Sequence, residues 1–450
     1  MKITVQSSKV LKPAYDGSVP SVATNLATPL TMFDKVTYAE NVNGVCFFHP
    51  PVPSKSSLET GFVKALAAYR EWAGRLGVDA NGDPCILLND AGATLVEATA
   101  DVALSSISPL EQTPDLQSLC QSGGGDNGEE VMVVQITRFA CGSFAVANTL
   151  HHLVGDGHGM CRFLMAWGNA TRGATVDRIP VYDRASIFKP RNPPRVDFEH
   201  RGVEFTKPRP EQKARIINRV NCSDTVVVHR VHFTPEMLSE LKSQGSAGAA
   251  RPYSTLQCVA AHLWRCITMA RRLDGNMITK LKIPVSGRER MHHPPVPEEY
   301  TGNVVLWAQP TTTVRELVAS PLRHIVEIVS QEVARINENY FRSFIDFASS
   351  GVVEEEGLVP TAALAKAATD RSAAIFVSNM KGVPLYELDF GTGQPLFLFT
   401  RSYPPVDGFV FIMPNLSSDG GMDVQVGLFA RAMDIFKDYC YSLTTANAKL

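Results

Sequence analysis

The sequence predicts a mixed α/β protein with two domains. Its 450 residues exceed what one hydrophobic core usually organises, so two domains of roughly 200 residues each are expected. Helical and strand-like patterns alternate in both halves. Residues 174–224 lie between the halves and resemble a linker, because they are rich in proline and charge and show little periodicity. We therefore expect a first domain over 1–180, a crossover linker over 181–224 and a second domain over 225–450.

The first half combines strands, one hairpin and two helices. Alternation around Ile3 and Val5 predicts an opening strand, and apolar residues at helical spacing predict a helix between Ser57 and Leu76. Further strands are predicted at CILLND, ATLVEAT, VMVVQITRF and SFAVANTLHH, of which the last two form a hairpin. An apolar stripe from Met160 to Trp167 predicts a helix directly after them. The stretch TLHHLVGDGHGM, residues 149–160, therefore lies where a buried strand turns into a helix.

The second half repeats this mixture. Thr234 and Pro235 are typical of a helix start, Ser254 is placed to cap another helix, and one or two long helices are expected over 313–347. Strands are predicted at TVVVHRVHF, GNVVLWAQ, PLYELDFG, FVFIMPN and MDVQVGLF, and KLKIPVSGRERM is predicted to be a strand followed by a turn. A last helix is expected around MDIFKDYCYSL.

The composition excludes several classes of protein. Hydrophobic residues make up 44% and charged residues 20%, as in soluble globular proteins, and a net charge of −2 gives no basic field for nucleic acid. No run approaches ~18 apolar residues, and the N-terminus lacks the apolar stretch of a signal peptide. The nine cysteines are scattered without a CxxC pair, which indicates reduced thiols and predicts a cytoplasmic protein without membrane contact.

The histidine-rich stretch allows three interpretations from its residues alone. A metal site is disfavoured, because neighbouring His151 and His152 on one strand point to opposite faces. A phosphate loop is disfavoured too, because no lysine and Ser/Thr pair follows Gly159. A structural turn with a buried histidine remains open, since the pattern HxxxDG arises by chance in roughly 4% of such chains.

A second motif, LDFGTGQP at residues 388–395, favours a functional role for the histidine-rich stretch over a purely structural turn. HHxxxDG followed far downstream by a DFGWG-like segment resembles the plant BAHD acyltransferases, which transfer an acyl group from coenzyme A. AGRL, YDR, AHLWRC, GRER and YTGNVV also match the family. The chain as a whole is similar to the cereal branch that makes amides of agmatine and tryptamine. The resemblance implies two similar chloramphenicol-acetyltransferase-like domains with a channel between them.

The resemblance also implies roles for the motif residues. His152 is the general base, a task that suits an imidazole titrating near neutral pH. Asp156 is structural, paired with Arg288 or Arg290, and Gly157 lets the chain turn into the helix. Asp389, Gly391 and Gly393 match DFGWG and are also structural. Thr392 replaces the tryptophan of that motif, which removes an indole from the predicted substrate site.

Two further regions are candidates for binding the substrates. Thr31 matches a Ser/Thr position beside the catalytic histidine, with a helix cap as the equal alternative. Acyl-CoA is implied as a co-substrate, with no permanently bound cofactor and no metal. In the RPYST segment, Arg251, Ser254 and Thr255 lie at a predicted helix N-terminus that could bind the phosphates of coenzyme A. The alternative is that Ser254 only caps this helix.

The acceptor is predicted from the segment before DFG. Relatives that bind shikimate carry an arginine where this chain has Gly382, which disfavours an acceptor with a carboxylate. Agmatine-acylating relatives carry acidic residues where Phe376 and Ser378 stand, and a dication would need such a carboxylate. We therefore expect a monomer that transfers a hydroxycinnamoyl or benzoyl group to an aromatic amine, with tryptamine favoured over its near neighbours serotonin and tyramine. Agmatine or putrescine, or an alcohol, is the alternative acceptor.

Overall fold

The computed structural model describes residues 1–15, 26–107, 116, 118–121, 130–176, 179–208, 225–362, 373–380, 383, 385–401, 406–413 and 419–443. The chain divides into two compact units, each mixing helices with sheet. Unit 1 contains Met1–Asn192, His293–Val304 and Val383–Tyr403, and unit 2 contains Pro193–His292, Val305–Gly382 and Pro404–Leu450. The predicted mixed α/β class is confirmed.

Unit 1 is built on a six-stranded sheet in the order β1-β6-β7-β8-β3-β16, with a smaller sheet β2-β5-β4 beside it. Its strands are β1 (Ile3–Leu11), β2 (Leu26–Pro29), β3 (Asn41–Phe48), β4 (Arg75–Val78), β5 (Pro84–Leu88), β6 (Ala93–Ala100), β7 (Met132–Phe139), β8 (Phe144–His151) and β16 (Phe397–Arg401). Its helices are α1 (Met32–Lys35), α2 (Lys55–Ala68) and α3 (Gly157–Thr171). Helices α2 and α3 pack together, with the Phe62 and Trp167 rings 5.0 Å apart.

Unit 2 is built on a seven-stranded sheet in the order β10-β18-β17-β15-β11-β12, with β13 also paired to β11, and it has a separate two-stranded sheet β14-β9. Its strands are β9 (Phe205–Thr206), β10 (Val226–Phe233), β11 (Ile278–Ser286), β12 (Val305–Ala308), β13 (Thr311–Thr313), β14 (Val359–Pro360), β15 (Ala374–Asn379), β17 (Phe409–Met413) and β18 (Met422–Phe429). Its helices are α4 (Pro235–Gly245), α5 (Thr255–Ala270), α6 (Val314–Ala319), α7 (Leu322–Arg335), α8 (Glu338–Ala348), α9 (Val352–Glu355) and α10 (Ala430–Cys440).

Most periodic predictions agree with these elements, while one predicted strand is wrong and two helical stretches differ. Helix α2 ends at Ala68, before a 3-10 turn and β4, and residues 313–347 contain three helices, α6, α7 and α8. The hairpin, the helix after the histidine motif and the helices capped by Thr234 and Ser254 form as expected. PLYELDFG does not form a strand: Leu385–Glu387 makes a 3-10 turn, and a tight turn around Asp389 follows it. The alternating apolar pattern of that segment places Leu385, Leu388 and Phe390 in the interior instead.

The division of the chain differs from the predicted boundaries 1–180, 181–224 and 225–450. Two segments of the second half, His293–Val304 and Val383–Tyr403, belong to unit 1, where β16 pairs with β3. The first part of the predicted linker belongs to unit 1 as well, since Tyr182 donates a hydrogen bond to the carbonyl of Ala68. Such pairings join residues far apart in sequence, so local composition does not reveal them.

Across the ranges that the structure describes, no helix is both long and apolar enough to cross a membrane.

Candidate active site

The histidine motif forms a tight strand-to-helix turn in unit 1. Strand β8 ends at His151, whose Nδ1 accepts a hydrogen bond from the backbone N–H of Leu153. Asp156 is the N-cap of α3, and its Oδ1 accepts the N–H groups of His158 at 3.1 Å and Gly159 at 3.2 Å. These contacts satisfy the first donors of the helix and fix the direction in which the chain leaves the strand.

Two glycines of the motif allow another backbone segment to approach closely. A Cβ atom at Gly155 would lie 2.5 Å from the carbonyl oxygen of Thr301, and one at Gly159 would lie closer still. Gly157, which the sequence suggested as the hinge, is the first residue of α3 and does not have a positive φ. The need for glycine in this turn is therefore steric and falls on Gly155 and Gly159.

His152 is held by the side chain of Asn303. The Asn303 Nδ2 group donates to Asp34 Oδ1 at 2.8 Å and to the backbone carbonyl of His152 at 2.9 Å, so its Oδ1 must be the acceptor. That oxygen lies 3.1 Å from Nδ1 of His152, and this nitrogen therefore carries the hydrogen. Since neutral imidazole has one N–H, its Nε2 has the free lone pair that a general base requires.

A second oxygen lies beside the same nitrogen and is compatible with this tautomer. Thr37 Oγ1 lies 3.3 Å from Nδ1 of His152, on the ring edge that Asn303 contacts. Within the described ranges, Nε2 of His152 forms no hydrogen bond, and the side chain is half-buried. The arrangement leaves one nitrogen of the ring available to a substrate and commits the other to the protein.

The Asn303 contact depends on a buried set of charges in unit 1. Asp34 is fully buried, and its other oxygen lies 3.9 Å from Arg184 Nη1. The same guanidinium lies 3.8 Å from Glu71, which accepts a hydrogen bond from Thr301 Oγ1. Burial raises the pKa of Glu71, while Arg184 and Thr301 counteract it. Each buried carboxylate thus has a hydrogen-bond donor, which makes the burial of these groups tolerable.

Thr31 takes the alternative role that the sequence left open. The backbone N–H of Thr31 donates to Asp34 Oδ2 at 2.9 Å and its hydroxyl accepts the N–H of Asp34 at 3.2 Å, which together form a capping box for α1. The hydroxyl also donates its own proton to Asp34 Oδ2 at 2.9 Å. This proton is committed to a buried carboxylate, so a contact between Thr31 and substrate would require the capping bond to break. The binding role of Thr31 stays a prediction without support from this geometry.

The DFGTG segment closes on itself and on the end of α3. Asp389 Oδ1 accepts the N–H groups of Gly391, Thr392 and Gly393, and its Oδ2 accepts from Arg172. Burial opposes ionisation of Asp389, but the backbone donors of Gly391 and Gly393 and the Arg172 guanidinium outweigh it and lower the pKa. Both glycines have a positive φ, which this turn requires.

The neighbours of Asp389 show what the segment does in unit 1. Phe390 is buried, with its ring 4.8 Å from Trp167 and 5.4 Å from Phe48. Thr392, at the position of the family tryptophan, has a buried hydroxyl without a hydrogen-bond partner in the described part of the chain. The segment therefore anchors a part of the second half of the chain in the core that carries His152.

The predicted coenzyme A residues lie in unit 2 at the start of α5. The Ser254 hydroxyl accepts the N–H of Gln257 at 3.2 Å, and the Ser254 backbone N–H donates to Gln257 Oε1 at 3.1 Å, which forms a capping box. Arg251 is exposed, and Thr255 is the first residue of the helix. The geometry matches the capping alternative, and phosphate binding at Arg251, Ser254 and Thr255 stays a prediction.

The remaining predicted residues are in unit 2 as well. Phe376 and Ser378 lie on β15 in the middle of its sheet, two residues apart and so on one face. Arg288 lies in a 3-10 turn after β11 and Arg290 directly follows it. Their pairing with Asp156 would join the two units and stays a prediction. Gly382 lies outside the described residues.

Comparisons with known proteins support the resemblance over the whole chain. A family model described as the Transferase family matches residues 1–443. The chain is 54% identical to agmatine hydroxycinnamoyltransferase 1 of Oryza sativa subsp. japonica, covering 98% of this chain and 99% of the relative. It is 52% identical to agmatine coumaroyltransferase-1 of Hordeum vulgare, covering 98% of this chain and 100% of the relative. It is 32% identical to tryptamine hydroxycinnamoyltransferase 2 of Oryza sativa subsp. japonica, with 98% and 99% covered.

The fold has a solved counterpart. The crystal structure of vinorine synthase matches with a TM-score of 0.71 and 19% identity, covering 96% of each chain, which shows the two-domain chloramphenicol-acetyltransferase-like fold. Fold and sequence together define an acyl-CoA-dependent acyltransferase. The chain belongs to the BAHD branch of the Transferase family, among its amide-forming members.

The sequence did not reveal the residues that orient His152. Asn303 appeared only as part of the family match YTGNVV, and Thr37 and Asp34 carried no signal. Asn303 is 151 positions from His152 and Asp34 is 269 positions from Asn303, so no local pattern connects them.

We expect Gly159→Ala to destabilise the protein. The added methyl would overlap the Thr301 backbone, and overpacking of this kind costs roughly 1–3 kcal/mol. Urea denaturation checks the change in the free energy of unfolding. Gly275→Ala is the control, because a Cβ there would meet Arg315 at an ordinary 3.5 Å. Equal midpoints for the two variants would contradict the steric explanation.

We expect Asn303→Ala to lower kcat by about 10- to 100-fold, with little change in KM for acyl-CoA, because the imidazole loses the acceptor that fixes its tautomer. Steady-state kinetics on protein shown to be folded by circular dichroism checks this. Asn169→Ala is the control, since that amide accepts from Arg172 on the surface. A kcat within twofold of the unmodified enzyme would show that Asn303 does not position the base.

Proposed function

We propose that this enzyme transfers a hydroxycinnamoyl group from its coenzyme A thioester to the primary amine of agmatine. The observation that carries the chemistry is the His152 ring, with Nδ1 bonded to Asn303 and Nε2 free. Support for the acceptor comes from the relatives named for agmatine, at 54% and 52% identity over 98% of this chain.

The proposed mechanism needs no covalent enzyme intermediate. The neutral amine attacks the thioester carbon, and Nε2 of His152 takes the proton that the nitrogen loses as the C–N bond forms. When the C–S bond breaks, the same proton passes from His152 to the thiolate of coenzyme A. Asn303 Oδ1 accepts the hydrogen on Nδ1 throughout and thereby stabilises the imidazolium. Acyl-CoA is the co-substrate, without a permanently bound cofactor.

The expected preference for tryptamine has weaker support. The tryptamine-named relative is 32% identical, against 54% for the agmatine-named one. An aromatic monoamine remains the second candidate, because Phe376 lies on the strand where agmatine would need a carboxylate. The only charged group beside the Phe376 ring in the described residues of that strand pair is the Lys282 ammonium, 5.2 Å from the ring centre.

We also propose that the enzyme acts in the cytoplasm as a monomer. The eight cysteines in the described ranges all have free thiols, which suits a reducing compartment.

The proposed function is tested by incubating the purified chain with p-coumaroyl-CoA and a panel of agmatine, putrescine, tryptamine, tyramine and an alcohol. Mass spectrometry of the products identifies the acceptor. We expect an amide of agmatine. Formation of an ester alone, or of no product with any amine, would refute amide-forming transfer.

We expect His152→Ala to retain no more than about 1% of the activity, because general-base catalysis contributes roughly 10²–10⁴-fold. His158→Ala is the matched control: this histidine lies in the same motif but past the turn, beside Arg162 and the carbonyl of Glu298. Initial rates of amide formation check both variants. Similar rates for the two would rule out His152 as the base.

A further inference from the structure

Asp34 is a buried carboxylate that bonds to the residue holding the His152 ring. It lies in α1, its side chain is fully buried, and its Oδ1 accepts two hydrogen bonds from Asn303, from the backbone N–H at 2.9 Å and from Nδ2 at 2.8 Å. Its Oδ2 accepts the backbone N–H and the hydroxyl of Thr31, each at 2.9 Å. Four donors thus point at the two oxygens, which is the bonding pattern of an ionised carboxylate.

The Asn303 side chain joins this carboxylate to the imidazole. Its Nδ2 donates to Asp34, and its Oδ1 lies 3.1 Å from Nδ1 of His152. Hydrogen bonds in series polarise one another, so a negative charge at the Nδ2 end of the amide makes its Oδ1 a stronger acceptor. The gain is larger for a cationic ring than for a neutral one, because a charged donor forms the stronger hydrogen bond.

The nearby cation Arg184 offsets the charge of Asp34 only in part. Its Nη1 lies 3.9 Å from Oδ2 of Asp34, which is the oxygen that does not bond to Asn303. The same Nη1 donates to the backbone carbonyl of Val154 at 2.8 Å, and Nη2 lies 3.8 Å from Glu71. The guanidinium is therefore shared between two carboxylates and a carbonyl, and the oxygen that faces the Asn303 amide has no cation bonded to it.

Other titratable groups surround the motif within unit 1. Around His152 and Asp34 they are Tyr38, Glu40, His151, Asp156, Tyr300, Glu71 and Arg184. Tyr300 donates to the backbone carbonyl of Asn303 at 3.0 Å and not to its side chain. In the described part of the chain, Asp34 is the one carboxylate that is hydrogen-bonded to the Asn303 side chain.

We propose that Asp34 is a positioning residue that increases the basicity of His152 through the Asn303 amide. Its negative charge stabilises the imidazolium that forms when Nε2 takes the proton of the attacking amine, and it does so without contacting the ring. The inference rests on the proposed role of His152 as the general base. The amide occupies the place that a carboxylate has beside the histidine of a Ser-His-Asp triad, and the carboxylate stands one side chain farther away.

The first test is the titration of His152 in the protein without substrate. Histidines labelled with 13C at Cε1 are followed by NMR as the pH is varied, and the His152→Ala variant identifies the resonance of His152. We expect Asp34→Asn to move the midpoint of this titration down by about 0.5–1 pH unit, because asparagine can still accept from Asn303 but has no charge. Circular dichroism shows whether the variant is folded, since the new amide would disturb the cap at Thr31.

Glu71→Gln is the matched control. It removes a second buried carboxylate beside the same Arg184 guanidinium, but Glu71 bonds to Thr301 and not to Asn303. Its titration midpoint should stay within about 0.2 pH unit of the unmodified protein, because no amide connects it to the ring.

A ratio of rates gives a second readout. Dividing kcat/KM for the amine in Asp34→Asn by the value for the unmodified enzyme cancels the ionisation of the amine itself. We expect this ratio to be below one at alkaline pH, where the variant has the weaker base, and to rise about three- to tenfold as the pH falls. The rise follows because His152 of the variant keeps its lone pair to lower pH. A purely structural role would lower the rate by the same factor at every pH.

An unchanged midpoint in Asp34→Asn, a rate ratio independent of pH, or an equal shift in Glu71→Gln would each overturn the role of Asp34. If Asp34→Asn does not fold, Asn303→Ala decides, because it leaves Asp34 in place and removes the amide between the charge and the ring. Its midpoint should also move down, and an unchanged midpoint would be as decisive. Failure of the proposed function is a separate outcome, since the NMR titration needs no substrate and that failure would appear as no amide from any amine.

Discussion

The amide of Asn303 is the contact on which the orientation of the His152 ring depends. Its Nδ2 satisfies a fully buried carboxylate, Asp34, and its Oδ1 orients the His152 ring. Because both hydrogens of the amide are engaged, the amide has one orientation, and the imidazole has one tautomer. Asp34 lies 3.9 Å from Arg184, which in turn lies 3.8 Å from Glu71. The orientation of the imidazole therefore rests on a buried network of charged groups.

Sequence reasoning was most successful where the pattern was local. Alternation and helical spacing located the hairpin, the helix after the histidine motif and the caps at Thr234 and Ser254. It failed for PLYELDFG, because an apolar alternation is equally compatible with a turn whose side chains enter a core. His152 could be singled out from its motif, whereas Asn303 and Asp34 act through contacts between distant positions, which one sequence does not encode visibly.

The acceptor illustrates a difference between overall and local similarity. Identity of 54% averages over the whole chain, and most of it describes a fold and a mechanism that many acceptors share. A preference among amines would depend on a few side chains at the acceptor site, for which Phe376 and Ser378 on β15 are the predicted positions. Two enzymes can therefore agree over most of their length and differ at the positions that distinguish one amine from another.

Unit 1 is assembled from three separate stretches of chain, and this has a consequence for recombination between relatives. A crossover in the stretch between the two halves would exchange unit 2, but it would also bring Asn303 and Phe390 from the second parent into the unit that carries His152. The gene therefore has no single breakpoint at which the two units separate cleanly. A working chimera needs the segments 293–304 and 383–403 to be inherited together with residues 1–192.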